Sequence, residues 1–136
     1  MALKTDLKSV LEIKDQIKED FKFIKKNPKI LGVILYGSVI NGTYHHQSDI
    51  DVCIVTTYEK LIDAYNYIIE NLRKNLHEYD IRFFKELPLF IQGEIIENGI
   101  PVISNNIYKL YEYLFPFRKR FEDWKLKLKL LHVASY

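Results

Sequence analysis

Apolar residues at Leu3, Leu7, Val10, Ile13, Ile17, Phe21 and Ile24 recur at steps of three and four. That spacing puts them on one face and predicts a single long helix, closed before Asn27-Pro28 by proline's fixed φ and missing amide. The period then changes. "KILGVILY" is a short apolar run bounded by Pro28 and Gly37, and "DIDVCIV" is a second, apolar on both faces beyond its aspartates. Both predict strands buried at the centre of a sheet. Leu61, Tyr65, Ile68, Leu72 and Leu76 return to the helical period, and "YDIRFF" predicts a third strand. Pro88 suits a first helical turn and Gly99 the residue past a helix end, so "PLFIQGEIIENG" predicts a helix and "IPVI" a fourth strand. Gly93 fits that helix poorly, because glycine costs about 1 kcal/mol against alanine there. Phe117, Phe121, Trp124, Leu128 and Leu131 form a helical seam in a tail over residues 106–133, with Pro116 expected to kink or break it near Phe115. "LKLKL" alone also fits a strand, but length favours helix.

No repeat, linker or low-complexity segment interrupts this pattern, and 136 residues suit one domain spanning 1–136. A second domain that shapes a substrate surface is not expected within this length. Its hydrophobic fraction of 48% indicates an ordered globule, and a net charge of +2 is too near neutrality to name a partner. The single cysteine, Cys53, rules out an intramolecular disulfide and a cysteine zinc cage, and reads as core in a reducing compartment. The first 20 residues alternate charged and apolar positions without a signal-peptide block, and no later run is long enough to span a bilayer. A cytoplasmic protein without membrane contact is expected.

Two charges then stand out in a core strand. Strand side chains alternate, so Asp49 and Asp51 share one face while Ile50, Val52 and Ile54 pack on the other. Two carboxylates about 4 Å apart repel by roughly 4 kcal/mol at an effective dielectric near 20, a cost that a divalent cation removes. Magnesium suits such a pair because it takes few carboxylates, keeps waters and binds substrate phosphates. Asp80 opens the third strand and joins the cluster if that strand lies beside the second. Arg82 follows on the same face, as a phosphate contact or an ion-pair partner. Upstream, Gly37-Ser38 and Gly42 follow a buried strand; glycine lets the backbone turn sharply against a ligand, and Ser38 can donate to a phosphate oxygen. A helix starting at Ser38 would add free amides that favour an anion.

Gly37-Ser38, ten intervening residues, then Asp49-Ile50-Asp51, with Asp80 on a later strand, resembles the signature of the DNA polymerase β-like nucleotidyltransferases, and the size resembles their minimal branch. The resemblance implies the nucleotidyltransferase fold: an α/β (α+β) domain with a mixed sheet of about four strands, flanked by helices and ending in a helical tail. It implies that Gly37 and Ser38 bind the triphosphate of ATP, and that Asp49, Asp51 and Asp80 hold two Mg2+ ions and are the catalytic residues. It also implies a small helical HEPN toxin as partner, with this chain as its antitoxin, transferring AMP from ATP to a tyrosine of the toxin. One departure is plain: Val39, Ile40 and Asn41 stand where many members have arginine and alanine, which removes a phosphate-binding cation.

Alternatives remain beside protein adenylylation. The chain could neutralise its partner by occlusion, with the aromatic seam Phe117, Phe121 and Trp124 as partner surface rather than core. Transfer to a small molecule or RNA is the third reading, with Arg118, Lys119, Arg120, Lys125, Lys127 and Lys129 as phosphate contacts; a solvated helix face is the expected role of that run, and nucleic acid is not expected as a partner. His45 and His46 are adjacent, so their side chains diverge and solvent exposure is expected over joint metal ligation. Tyr108, Tyr111 and Tyr113 are possible self-modification sites on what reads as a packing face. The oligomeric state is left open.

Overall fold

A computed structural model of the chain describes residues 9–42 and 49–131. Leu3, Leu7, His45 and His46 lie outside the described residues. The sheet has four strands, β1 (Ile30–Leu35), β2 (Ile50–Thr56), β3 (Tyr79–Phe83) and β4 (Ile100–Ser104), in the order β3-β2-β1-β4. β1 pairs antiparallel with β2 and with β4, whereas β2 and β3 run parallel, so the sheet is mixed. Its two central strands are the two apolar runs expected there. Pro101 lies in the edge strand β4, where a missing ladder amide is tolerated.

Helices cover both faces. Helix α1 (Val10–Asp20) and α3 (Leu61–Leu72) lie over one core, in which Ile13, Ile17, Ala64, Ile68 and Leu72 meet Val33, Leu35, Val52 and Ile54. On the other face α4 (Leu89–Asn98) and α5 (Ile107–Leu130) supply Ile95, Leu110 and Leu114 against Leu31, Ile34, Cys53 and Val55. Cys53 is buried and free, as read from the sequence. The short helix α2 (Ser38–Asn41) follows β1 directly.

Four local expectations change. The first helix does not run unbroken from Leu3 to Ile24. Ser9 is extended (φ −69°, ψ 161°) and caps α1, its Oγ accepting from the Glu12 amide at 3.1 Å. Beyond Asp20 the chain tightens into a 3-10 turn, Lys22–Lys26, which lets both Phe21 and Ile24 be fully buried. In α3 the buried stripe is Ala64, Ile68 and Leu72, and Tyr65 is 38% exposed. Pro116 does not break α5, which continues from Ile107 to Leu130. The residue is exposed, so the carbonyl freed by its missing amide can reach water, while Leu110 and Leu114 before it and Phe121 after it are anchored.

The seam on α5 also divides. Phe121 is 6% exposed and belongs to the core, and the partly buried Phe117 packs edge-on against Phe84 at 5.0 Å. Trp124 is 36% exposed, and Leu126, Leu130 and Leu131 stand further out in solvent.

Gly93 has a tertiary explanation. A Cβ at this position would fall onto the ring of Phe121, so the glycine lets α5 lie directly on the backbone of α4. Gly93→Ala should therefore lower stability by about 1–3 kcal/mol, the cost of overpacking, rather than add the increment alanine gives an open helix site. Urea denaturation of the double-mutant cycle with Phe121→Ala checks this, since the alanine cost should vanish once the ring is gone.

Candidate functional site

The site forms where the end of β1 meets the starts of β2 and β3. β1 and β2 run antiparallel, so the turn after β1 comes back onto the first residues of β2. Parallel pairing of β2 with β3 sets Asp51 opposite Asp80, followed by Val52 opposite Ile81 and Cys53 opposite Arg82. The register thus brings together two aspartates that lie 29 positions apart. The start of β3 is itself pinned, because the Tyr79 hydroxyl donates to Asp20 Oδ2 at 2.6 Å and Asn75 Nδ2 to Asp20 Oδ1 at 3.0 Å.

Gly37 adopts φ 77° and ψ −137°, a conformation that L side chains rarely adopt, and a Cβ there would collide with the Asp51 carboxylate. The next amide, Ser38 N–H, donates to Asp51 Oδ2 at 3.3 Å. The glycine-serine turn is therefore built around Asp51. Ser38 does begin a helix, but one of four residues closed by Gly42, and its own amide is held by the carboxylate rather than left free.

Burial raises the Asp51 carboxyl above the ordinary aspartate range; the Ser38 amide opposes this, the charges of Asp80 and Asp49 add to it, and Arg82 opposes it. Asp49 is exposed just before β2, so its contribution to the cluster is felt as charge. Arg82 pairs with Asp80, Nε to Oδ1 at 3.1 Å, with both side chains partly in solvent. Among the described residues, no group of three or more His, Cys, Asp or Glu side chains forms a ready metal cage. The donor set still fits a divalent cation of the magnesium type, which takes one or two carboxylates and completes its shell from water and substrate phosphates. Asp51 and Asp80 would supply that pair.

Two hollows flank the carboxylates. One, of about 200 Å³, lies between the Gly37 turn, Ile40 and Asn41 on one side and Ile91, Glu94, Ile95 and Asn98 of α4 on the other, with Tyr36 at its wall. The second is a shallow groove along β3 and α3, lined by Asp80, Arg82, Phe83, Ile62 and Tyr65. Tyr36, Glu94 and Asn98 were not foreseen in the sequence. Tyr36 directly precedes the glycine-serine turn; burial, with Cys53, Asp51 and Asp80 adding, raises its phenol so that it stays protonated. Its position in "LYGS" was the one signal available.

A glycine-serine turn set against in-register strand carboxylates on a mixed sheet defines the nucleotidyltransferase class. Comparisons with known proteins agree. The sequence profile of the family "Polymerase beta, Nucleotidyltransferase" matches residues 15–108, and the chain belongs to that family. A Methanocaldococcus jannaschii protein provisionally named a protein adenylyltransferase, MJ1547, is 39% identical over 101 residues, covering 74% of this chain and 77% of that one. The fold is shared with a chain in a crystal structure of a toxin-antitoxin with AMP-PNP (TM-score 0.59, 18% identity, 90% of this chain and 94% of the other). It is also shared with a chain in the complex of a tri-AMPylated Shewanella oneidensis HEPN toxin with an MNT antitoxin (TM-score 0.58, 13% identity, 87% and 91%).

Two outcomes follow from the turn. Gly37→Ala should destabilise the fold by about 1–3 kcal/mol through backbone strain and should displace the Asp51 carboxylate, read by urea denaturation and by loss of nucleotide-dependent thermal stabilisation. Asp51→Asn should instead raise the thermal midpoint by a few degrees near neutral pH, since it removes a carboxylate that is costly when charged. A carboxyl raised in the folded state favours folding below its unfolded pKa, and that advantage is lost as pH rises through the folded value. The midpoint difference between Asn variant and wild type should therefore shrink toward zero as pH falls to about 4.

Proposed function

We propose that the chain is a Mg-dependent protein adenylyltransferase that transfers AMP from ATP to a tyrosine of a helical HEPN-type toxin, and so acts as its antitoxin. The observation that carries this reading is the Asp51 carboxylate held in the Gly37-Ser38 turn with Asp80 in register beside it. The name of the M. jannaschii relative, the AMP-PNP in one neighbouring toxin-antitoxin structure and the AMPylated HEPN toxin in another support the choice of an adenine nucleotide and of a toxin as acceptor.

Asp51 and Asp80 would hold the metal, with Asp49 close enough to add charge. When bound, magnesium supplies charge neutralisation, orients the triphosphate and lowers the pKa of the attacking hydroxyl. Ser38 and the Gly37 backbone would receive the triphosphate, and the hollow between that turn and α4 offers room for the rest of the nucleotide. The open groove along β3 begins at Asp80 and leaves room for an acceptor from solvent. The acceptor oxygen attacks the α-phosphate, and pyrophosphate leaves.

Occlusion is a second reading that one observation favours: the distal turns of α5 leave Trp124, Leu126 and Leu130 in solvent, a surface suited to a partner helix. Chemistry and occlusion separate in one experiment. Incubation with α-labelled ATP, magnesium and the co-purified partner should label a partner tyrosine, and Asp51→Asn or Asp80→Asn should lower the rate roughly 100-fold or more. Undiminished label transfer in both variants would remove the proposed site, and neutralisation that survives loss of all three aspartates would favour occlusion.

A further inference from the structure

The site brings Asp51 and Asp80 together with Asp49 at its exposed margin, yet the turn proposed to meet the triphosphate carries Val39, Ile40 and Asn41 and no cation. Among the described residues lining the two hollows beside it, Arg82 is the one cation. Its guanidinium is spent on Asp80, at 3.1 Å through a single nitrogen. Arg82 sits opposite Cys53 in the β2–β3 register, two positions beyond Asp80, and acts electrostatically on both Asp51 and Tyr36. The side chain is about half exposed, so nothing packs it into the Asp80 contact.

We propose that Arg82 is a placeholder cation that neutralises Asp80 before a metal binds, yields that carboxylate to the metal, and then binds the phosphates of the nucleotide. The inference deepens the nucleotidyl-transfer reading and rests on it. Both halves follow from charge. A cation on Asp80 competes with any second cation for the same oxygen lone pairs, and an exposed ion pair is weak enough to be displaced. Once released, a guanidinium presents several fixed donors that match phosphate oxygens, and the nucleotide brings negative charge to a site whose turn offers no other positive side chain. Arg82 thereby replaces, from β3, the cation absent after Ser38.

The two roles predict effects of opposite sign, which a merely structural residue would not give. In Arg82→Ala, Mn2+ binding without nucleotide, read by electron paramagnetic resonance of the free ion, should tighten about 2- to 5-fold. Binding of the ATP analogue AMP-PNP with Mn2+ in the absence of an acceptor, read by calorimetry, should weaken roughly 10-fold or more. Arg82→Lys should restore most of the nucleotide affinity, and circular dichroism should find both variants folded. Mn2+ affinity unchanged or weakened in Arg82→Ala, or nucleotide affinity unchanged, would overturn the proposal. The underlying reading is tested separately in the same assay. Wild-type AMP-PNP binding that Asp51→Asn abolishes retains it whatever Arg82 does, and wild-type protein that binds no nucleotide overturns both.

Discussion

The contact between the Gly37 turn and the Asp51 carboxylate is the constraint on which the rest of the site depends. It needs a residue without a Cβ at Gly37, an amide aimed inward at Ser38, and an aspartate on the first turn-facing position of β2. Any side chain at Gly37 would occupy the space of the carboxylate. The sheet serves this contact: antiparallel β1 and β2 bring turn and aspartate together, and parallel β2 and β3 add Asp80 in register. A charge half withdrawn from water is thus kept where two further carboxylates oppose its ionisation. Such an arrangement is unfavourable by itself, and a cation would relieve it, which is the physical ground for reading the pair as a site rather than as an acidic strand end.

Much of the fold was legible because its signals are local. The apolar runs "KILGVILY" and "DIDVCIV" are bounded by proline, glycine and charge, and no helical period competes with them. The alternation that put Asp49 and Asp51 on one face and Ile50, Val52 and Ile54 in the core needed only the strand period. What escaped depended on contacts between distant segments. Gly93 looked like a flaw in a helix until Phe121 was placed on it. Pro116 is tolerated because its neighbours on α5 are anchored and its carbonyl partner is in reach of water, neither of which a sequence reveals. Ser9 and Glu12 form a capping signal that the longer apolar period from Leu3 to Ile24 concealed.

The candidate site was legible to the same extent and for the same reason. Gly37, Ser38, Asp49 and Asp51 stood out as candidates by spacing and Asp80 by opening the third strand, and the structure joins Gly37, Ser38, Asp51 and Asp80 through one hydrogen bond and one strand register. Asp49 remains at the exposed margin. Arg82 had two open roles in the sequence, and its pairing with Asp80 could not be chosen between them without the distance. The aromatic seam of α5 resolves into two parts, a packed portion with Phe117 partly buried and Phe121 buried and an exposed end from Trp124 onward, because the helix is longer than the domain surface it covers.

The central claim is that Asp51 and Asp80 share a cation beside a triphosphate held on the Gly37-Ser38 turn. A crystal structure with Mn2+ and AMP-PNP tests it directly, through the anomalous signal of the metal. The account predicts a manganese peak within about 2.0–2.3 Å of carboxylate oxygens of both aspartates, with the triphosphate against the Ser38 hydroxyl. Nucleotide bound with its phosphates away from that turn, or manganese bound without either aspartate, would contradict it.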